Sequence, residues 1–202
     1  MQIREMTSRK LQAFQTRQKI VDTALQLFGK KGYEAVTVDD ICDEAGVSKG
    51  AFYHHFPSKD QILLEKFMSI DSFYRQLEKD IAMEKSCVDK LRRVSVEAMG
   101  EISDFGIDIL TVAYASQLRT DKKTSELASN NRHIYKLIGS LLKEGQERGE
   151  FRKNIDIKKR TRTIVSSYRG LVVEWCLKNG GFDLVEAGRD LADNLLEGIL
   201  ER

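Results

Sequence analysis

The chain has 202 residues, 41% hydrophobic and 32% charged, with a net charge of +2. That length can bury a real core, and that balance excludes long disordered tracts. Pro57 is the single proline, which argues against loop-rich and all-β folds and leans the chain toward helix. No apolar run approaches the ~20 residues of a membrane span, and no apolar signal-peptide centre follows Met1, so a cytoplasmic protein is expected.

The first predicted helix runs from about Thr16 to Lys31, with Ile20, Ala24 and Phe28 repeating every four residues and Val21 and Leu25 beside them. Gly32 ends it. The first 31 residues hold seven basic and two acidic side chains, a local excess that attracts phosphate or merely solvates the terminus.

Two short helices follow, each with complete start signals. Thr37 caps the first, with Asp40 three residues on, and Val36 and Ile41 form a hydrophobic staple. Ser48 caps the second, with Val47 and Phe52 in the same relation. Between them Gly46 supplies the left-handed residue of a tight turn. Pro57 stops the second short helix at Phe56. Ser58 with Gln61 then opens a long fourth helix through Ile62, Phe67, Phe73, Leu77 and Ile81. Beyond it only amphipathic helices are predicted, over about 86–103, 107–120, 124–148, 157–178 and 183–201. The fold class is all-α: a three-helix helix-turn-helix domain over 1–60, followed by a larger helical domain over 61–202.

Residues 37–56 meet the needs of a helix-turn-helix, two helices joined by a short turn with the second free to enter the major groove. Phe52 and Phe56 share a buried face. The opposite face presents Lys49, Gly50, Tyr53 and His54, flanked by Ala51 and His55. Gly50 would let the backbone approach the bases, Ala51 suits a thymine methyl and Lys49 the acceptors on guanine. Tyr53, His55 and Lys59 suit phosphate oxygens, and the helix ends behind Thr37 and Ser58 offer N–H groups to the same backbone.

The stretch from Lys19 to Leu64 resembles the DNA-binding domain of the tetracycline-repressor (TetR) family of bacterial regulators. The carriers are Ala24-Leu25-Gln26-Leu27-Phe28, Gly32-Tyr33, Thr37-Val38-Asp39-Asp40-Ile41, Ala45-Gly46-Val47-Ser48-Lys49-Gly50, Phe52-Tyr53-His54-His55-Phe56 and Ser58-Lys59. By position the resemblance implies DNA contacts from Thr37, Ser48, Lys49, Gly50, Ala51, Tyr53, His55 and Lys59, with His54 at a variable site. Cys42 stands where the family usually has alanine and fits as a small buried hydrophobe. With Cys87 and Cys176 it makes three distant thiols, expected to be reduced. Past Leu64 the resemblance extends only to length and helical character.

The resemblance also implies a repressor released from its double-stranded DNA operator by a small-molecule effector. One recognition helix reads only a few base pairs, so a homodimer on a palindromic operator is expected. The pairing stripes are Ile164, Tyr168, Leu171, Val172 and Trp175 on one helix and Leu184, Leu191, Leu195, Ile199 and Leu200 on the next. Met99, Phe105, Tyr114, Gln117, Tyr168 and Trp175 are candidate pocket residues, large or polar on otherwise apolar helices. No charge stands out there, which points to an apolar or aromatic effector. The alternative is a helical DNA-binding architectural or recruiting factor without an effector. No catalytic constellation, cofactor loop or metal set is legible: His54 and His55 point about 100° apart on a helix and lack acidic or thiol neighbours at i+3 or i+4, and His133 sits in polar sequence.

Overall fold

The computed structural model describes residues 8–118 and 129–200. Two compact units divide the chain, Met1–Lys66 and Phe67–Arg202.

In the first unit α1 spans Ser8–Lys31, α2 Val38–Ala45 and α3 Lys49–His55, and α4 begins at Lys59. Helix α1 starts two turns before the predicted Thr16. Those added turns are exposed, including Leu11 and Phe14, so apolar periodicity could not reveal them. The three helices close on a core of Ile20, Ala24, Val36, Ile41, Phe52 and Phe56. The predicted capping box forms: the Thr37 N–H donates to Asp40 Oδ2 at 2.8 Å, and the Asp40 N–H to Thr37 Oγ1 at 3.1 Å. Gly46 adopts φ 62°, which lets the Val47 N–H reach the Cys42 carbonyl at 3.0 Å and turns the chain between α2 and α3.

The predicted boundary at residue 60 lies inside α4, Lys59–Met68. The first two turns of that helix are held within the first unit by Lys59 on the Tyr33 and Val36 carbonyls, by Tyr33 on Asp60 and by Arg17 on Glu65. The predicted long fourth helix is two helices. It breaks at Ser69, after which α5 runs Ile70–Asp80; Ser69 keeps right-handed helical angles, so the apolar pattern passes through the break unmarked.

In the second unit α6 is Cys87–Phe105, α7 Ile107–Leu118, α8 His133–Glu147, α9 Ile157–Leu177 and α10 Leu184–Glu197. Helix α8 starts at His133, later than the predicted 124, because Asn130 and Asn131 form a turn; residues 124–128, and the predicted ends at 120 and 201, lie outside the described residues. Helix α10 packs along α6, and α8 along α9. Gly188 makes the first approach possible, since a Cβ there would lie 2.4 Å from Met99 Cγ, and Ser95 Oγ donates to the Gly188 carbonyl at 2.7 Å. The buried Lys90 ammonium ties α6 to α8 through Glu144 at 3.1 Å. The backbone after α10 folds back in an isolated antiparallel bridge, Phe151 with Leu200.

Candidate functional site

Helix α3 divides into the two faces its spacing predicts. Phe52 and Phe56 are 0% and 1% exposed with ring centroids 6.1 Å apart, and Arg17 stacks over Phe56. Ser48, Lys49, Gly50, Tyr53 and His54 are exposed, and Ala51 and His55 half-buried. Ser48 caps the helix through Oγ, which accepts from the Ala51 N–H at 3.1 Å. Thr37 is exposed at the start of α2.

The two lysines of this set already have partners. Lys49 Nζ sits 2.8 Å from Asp39 Oδ1, and that carboxylate holds the ammonium above its ordinary range. Lys59 is engaged inward: its Nζ donates to the Tyr33 and Val36 carbonyls at 2.9 and 3.0 Å and lies 4.1 Å above the Tyr33 ring. It clamps the chain between α1 and α2. His55 is held below the ordinary imidazole range, first by burial, then by His54 and Arg17.

The second unit holds a cavity of about 80 Å³ among α5, α6, α7, α8, α9 and α10. Met99, Tyr114 and Tyr168 line it, as the sequence predicts. Phe105, Gln117 and Trp175 do not. Phe105 packs against the Phe67 ring at 5.9 Å, and the Trp175 indole N–H is committed to the Phe182 carbonyl at 3.0 Å. Burial pushes the Tyr114 and Tyr168 phenols up to about 12, so both stay protonated donors.

Contrary to the expectation of a charge-free site, two guanidinium groups line the cavity, Arg132 and Arg169. Arg132 is 8% exposed, lies 5.5 Å over the Phe67 ring and binds Asp71 Oδ1 through Nε at 3.1 Å and Nη2 at 3.0 Å. Arg169 Nη2 donates to Tyr135 Oη at 3.3 Å. Arg169 had a legible signal: it lies four residues after Val165 and three before Val172, on the apolar stripe of α9. Arg132 had none, because it precedes its helix and no periodicity reaches it. His133, which sits in polar sequence, meets Glu78 at 2.8 Å.

The predicted pairing stripes are partly used up within the protomer. Ile164, Val172 and Ile199 are buried in its own core, because the stripe that fits a partner also fits α6 and α8. Leu171, Leu191 and Leu195 keep partial exposure.

A helix-turn-helix with one apolar and one solvent-facing side, joined to a helical unit with a mostly apolar internal cavity, defines a ligand-responsive DNA-binding regulator. Residues 20–65 match the family described as bacterial regulatory proteins, tetR family, and residues 65–198 the YsiA-like protein, C-terminal region. The chain belongs to the tetR family of transcriptional regulators. It is 26% identical to the fatty acid metabolism regulator protein of Bacillus subtilis (strain 168), over 90% of this chain and 94% of that one. It is 25% identical to the probable acrEF/envCD operon repressor of Escherichia coli (strain K12), over 93% and 88%. Among solved structures, Thermus thermophilus FadR, a TetR family transcriptional repressor in complex with lauroyl-CoA, superposes with a TM-score of 0.75 at 26% identity, covering 92% of this chain and 96% of that one.

Proposed function

We propose that this regulator is a cytoplasmic repressor whose effector is an acyl-CoA thioester. The observation that carries the reading is the cavity: apolar walls for a hydrocarbon chain, with Arg132 and Arg169 beside them as donors to the carbonyl oxygen of a thioester. The complex of the Thermus thermophilus relative with lauroyl-CoA supports the same chemistry. At about 80 Å³ the cavity has room for only a few water-sized particles, so an acyl chain must part the helices that line it. A ligand that binds only the parted state weakens whatever the closed state binds, by the same coupling free energy in both directions.

On the DNA side, Lys49, Gly50, Ala51, Tyr53 and His54 meet bases and phosphates, with Thr37, Ser48 and His55 at the rim; the solvent-facing side of α3 supports this reading. Lys59 supports this face and does not read it. Two protomers pair through α9 and α10, using Leu171, Leu191 and Leu195 with the 82% exposed Leu177, and present two copies of α3 to a palindromic operator.

The test is fluorescence anisotropy with DNA from upstream of the protein's own gene. Tight binding is expected at low salt, with release by lauroyl-CoA and none by an acyl-free thiol. Absence of DNA binding removes the repressor reading; binding that lauroyl-CoA leaves untouched removes the effector.

A further inference from the structure

A second recess in the helical unit lies outside the cavity. It is an open groove of about 710 Å³ between the starts of α8 and α9, lined by Tyr135 and Gly139 on one side and Asp156, Lys158, Thr161 and Arg162 on the other. Three features mark it.

Thr161 is 6% exposed, and among the described residues its Oγ1 is the one buried side-chain polar atom without a hydrogen-bond partner. A buried hydroxyl left unpaired is costly, and valine would fill the same space without that cost. The hydroxyl lies close to Gly139 of α8: a Cβ on that glycine would come to 3.5 Å from it.

The start of α9 is also strongly basic beyond its capping aspartate. Its N-terminal N–H groups carry the positive end of the helix dipole, which favours acidic neighbours. Yet the first turns hold Lys158, Lys159, Arg160 and Arg162 and no acid; the capping Asp156 accepts from the Lys159 N–H at 3.0 Å and lies 3.8 Å from its ammonium. An anion in the groove would relieve this crowding of like charge.

Finally, groove and cavity are neighbours. Tyr135 of the groove accepts the hydrogen bond from Arg169 of the cavity. On α8 the adjacent Ile134 and Ile138 face the cavity, and Val165, one turn beyond Thr161, does so on α9.

We propose that this groove is a phosphate-binding site, and that it holds the nucleotide end of the thioester whose acyl chain enters the cavity, the second half resting on the acyl-CoA reading above. Lys158, Arg162 and the N–H groups of α9 bind phosphate oxygens, and the Thr161 hydroxyl donates to one of them. Tyr135 stands at the passage between the two compartments.

The test is calorimetric titration of the full-length protein with lauroyl-CoA, laurate and coenzyme A. The wild type is compared with the Lys158→Ala/Arg162→Ala pair and with Thr161→Val. The wild type should bind lauroyl-CoA at least roughly tenfold more tightly than laurate, since charge-assisted hydrogen bonds are worth about that factor each. The double variant should erase that advantage and leave laurate binding unchanged. Thr161→Val should weaken lauroyl-CoA severalfold without lowering the thermal midpoint, which a merely structural hydroxyl would not do. An advantage that survives in the double variant, or a wild type that does not distinguish laurate from lauroyl-CoA, overturns the groove while leaving the cavity reading intact. Coenzyme A bound by the wild type and lost in the double variant supports the groove even if no acyl compound releases DNA, in which case the effector reading fails alone.

Discussion

Lys49 Nζ and Asp39 Oδ1 lie 2.8 Å apart, which couples the first residue of α3 to the first turn of α2. The pair is more than half exposed, so its own contribution to stability is small. Its weight falls on DNA binding: a phosphate or guanine must draw Lys49 away from Asp39, and the carboxylate then faces a polyanion. Asp39→Asn is expected to tighten DNA binding severalfold with little change in thermal midpoint, and Lys49→Ala to weaken it tenfold or more. Anisotropy titrations at two salt concentrations check both; Asp39→Asn binding no tighter than wild type would remove Lys49 from the interface.

Gly50 has no structural reason to be glycine. A Cβ there would meet only Ser48 Oγ at 3.8 Å, an ordinary contact, and the position is helical. Alanine in a helix is favoured over glycine by about 1 kcal/mol. Gly50→Ala should therefore raise the thermal midpoint slightly. If α3 approaches the bases backbone-first, it should also lose DNA affinity by about tenfold. Wild-type affinity in that variant would show that the space is not used.

The contrast between Gly50 and Lys59 shows how far the sequence could be read. Capping at Thr37 and Ser48, the turn at Gly46 and the buried pair Phe52 and Phe56 are local relations a few residues long, and the chain states them directly. Lys59 reads as a phosphate ligand from residue type and position alone; its carbonyl partners, Tyr33 and Val36, lie more than twenty residues away in sequence and are invisible there. Tertiary partners hide part of the cavity too. Met99, Tyr114 and Tyr168 stood out as large groups on apolar helices, but Arg132 enters through Asp71, a tertiary partner on α5. Helical periodicity tells which face is buried, and cannot tell whether a neighbour or a partner buries it, which is why Ile164, Val172 and Ile199 read as interface.

Because Lys59 donates to two carbonyls between α1 and α2, its loss should cost the DNA-binding unit stability before affinity. Lys59→Met keeps the stem over Tyr33 and leaves both carbonyls to water. A destabilisation of about 1–3 kcal/mol is expected in urea melts. DNA affinity measured well below the transition should stay within a few-fold of wild type. A large affinity loss with an unchanged midpoint would restore Lys59 to the phosphate-contacting set.

Gly188→Ala tests the crossing of α6 and α10. The added methyl would sit 2.4 Å from Met99 Cγ, and Met99 lines the cavity. The side chain can yield by turning into the space of about 80 Å³ that it lines. Overpacking of this kind costs about 1–3 kcal/mol, and the displaced Met99 should also weaken acyl-CoA binding. Met99→Ala should cost less in the Gly188→Ala background than alone, a coupling that a double-mutant cycle reads. Additive effects would mean that α10 shifts as a whole.

His55 sets the response to acid. The imidazole is held below its ordinary value of 6.5, first by burial and then by His54 and Arg17. The unfolded chain therefore takes up this proton at higher pH than the folded one. The stability that neutral His55 contributes is complete above the unfolded value and drains away as pH falls through the lower folded value. The thermal midpoint of the wild type should thus fall more steeply than that of His55→Gln as pH drops from roughly 7 to 5. DNA reverses the sign locally: a phosphate beside the ring favours the charged imidazole, so binding takes up a proton and affinity rises as pH falls through the same window. Anisotropy at roughly pH 7.5 and 6 should show that rise in the wild type and a flatter response in His55→Gln. Equal slopes in the two proteins would place the proton on another group and His55 outside the DNA contact.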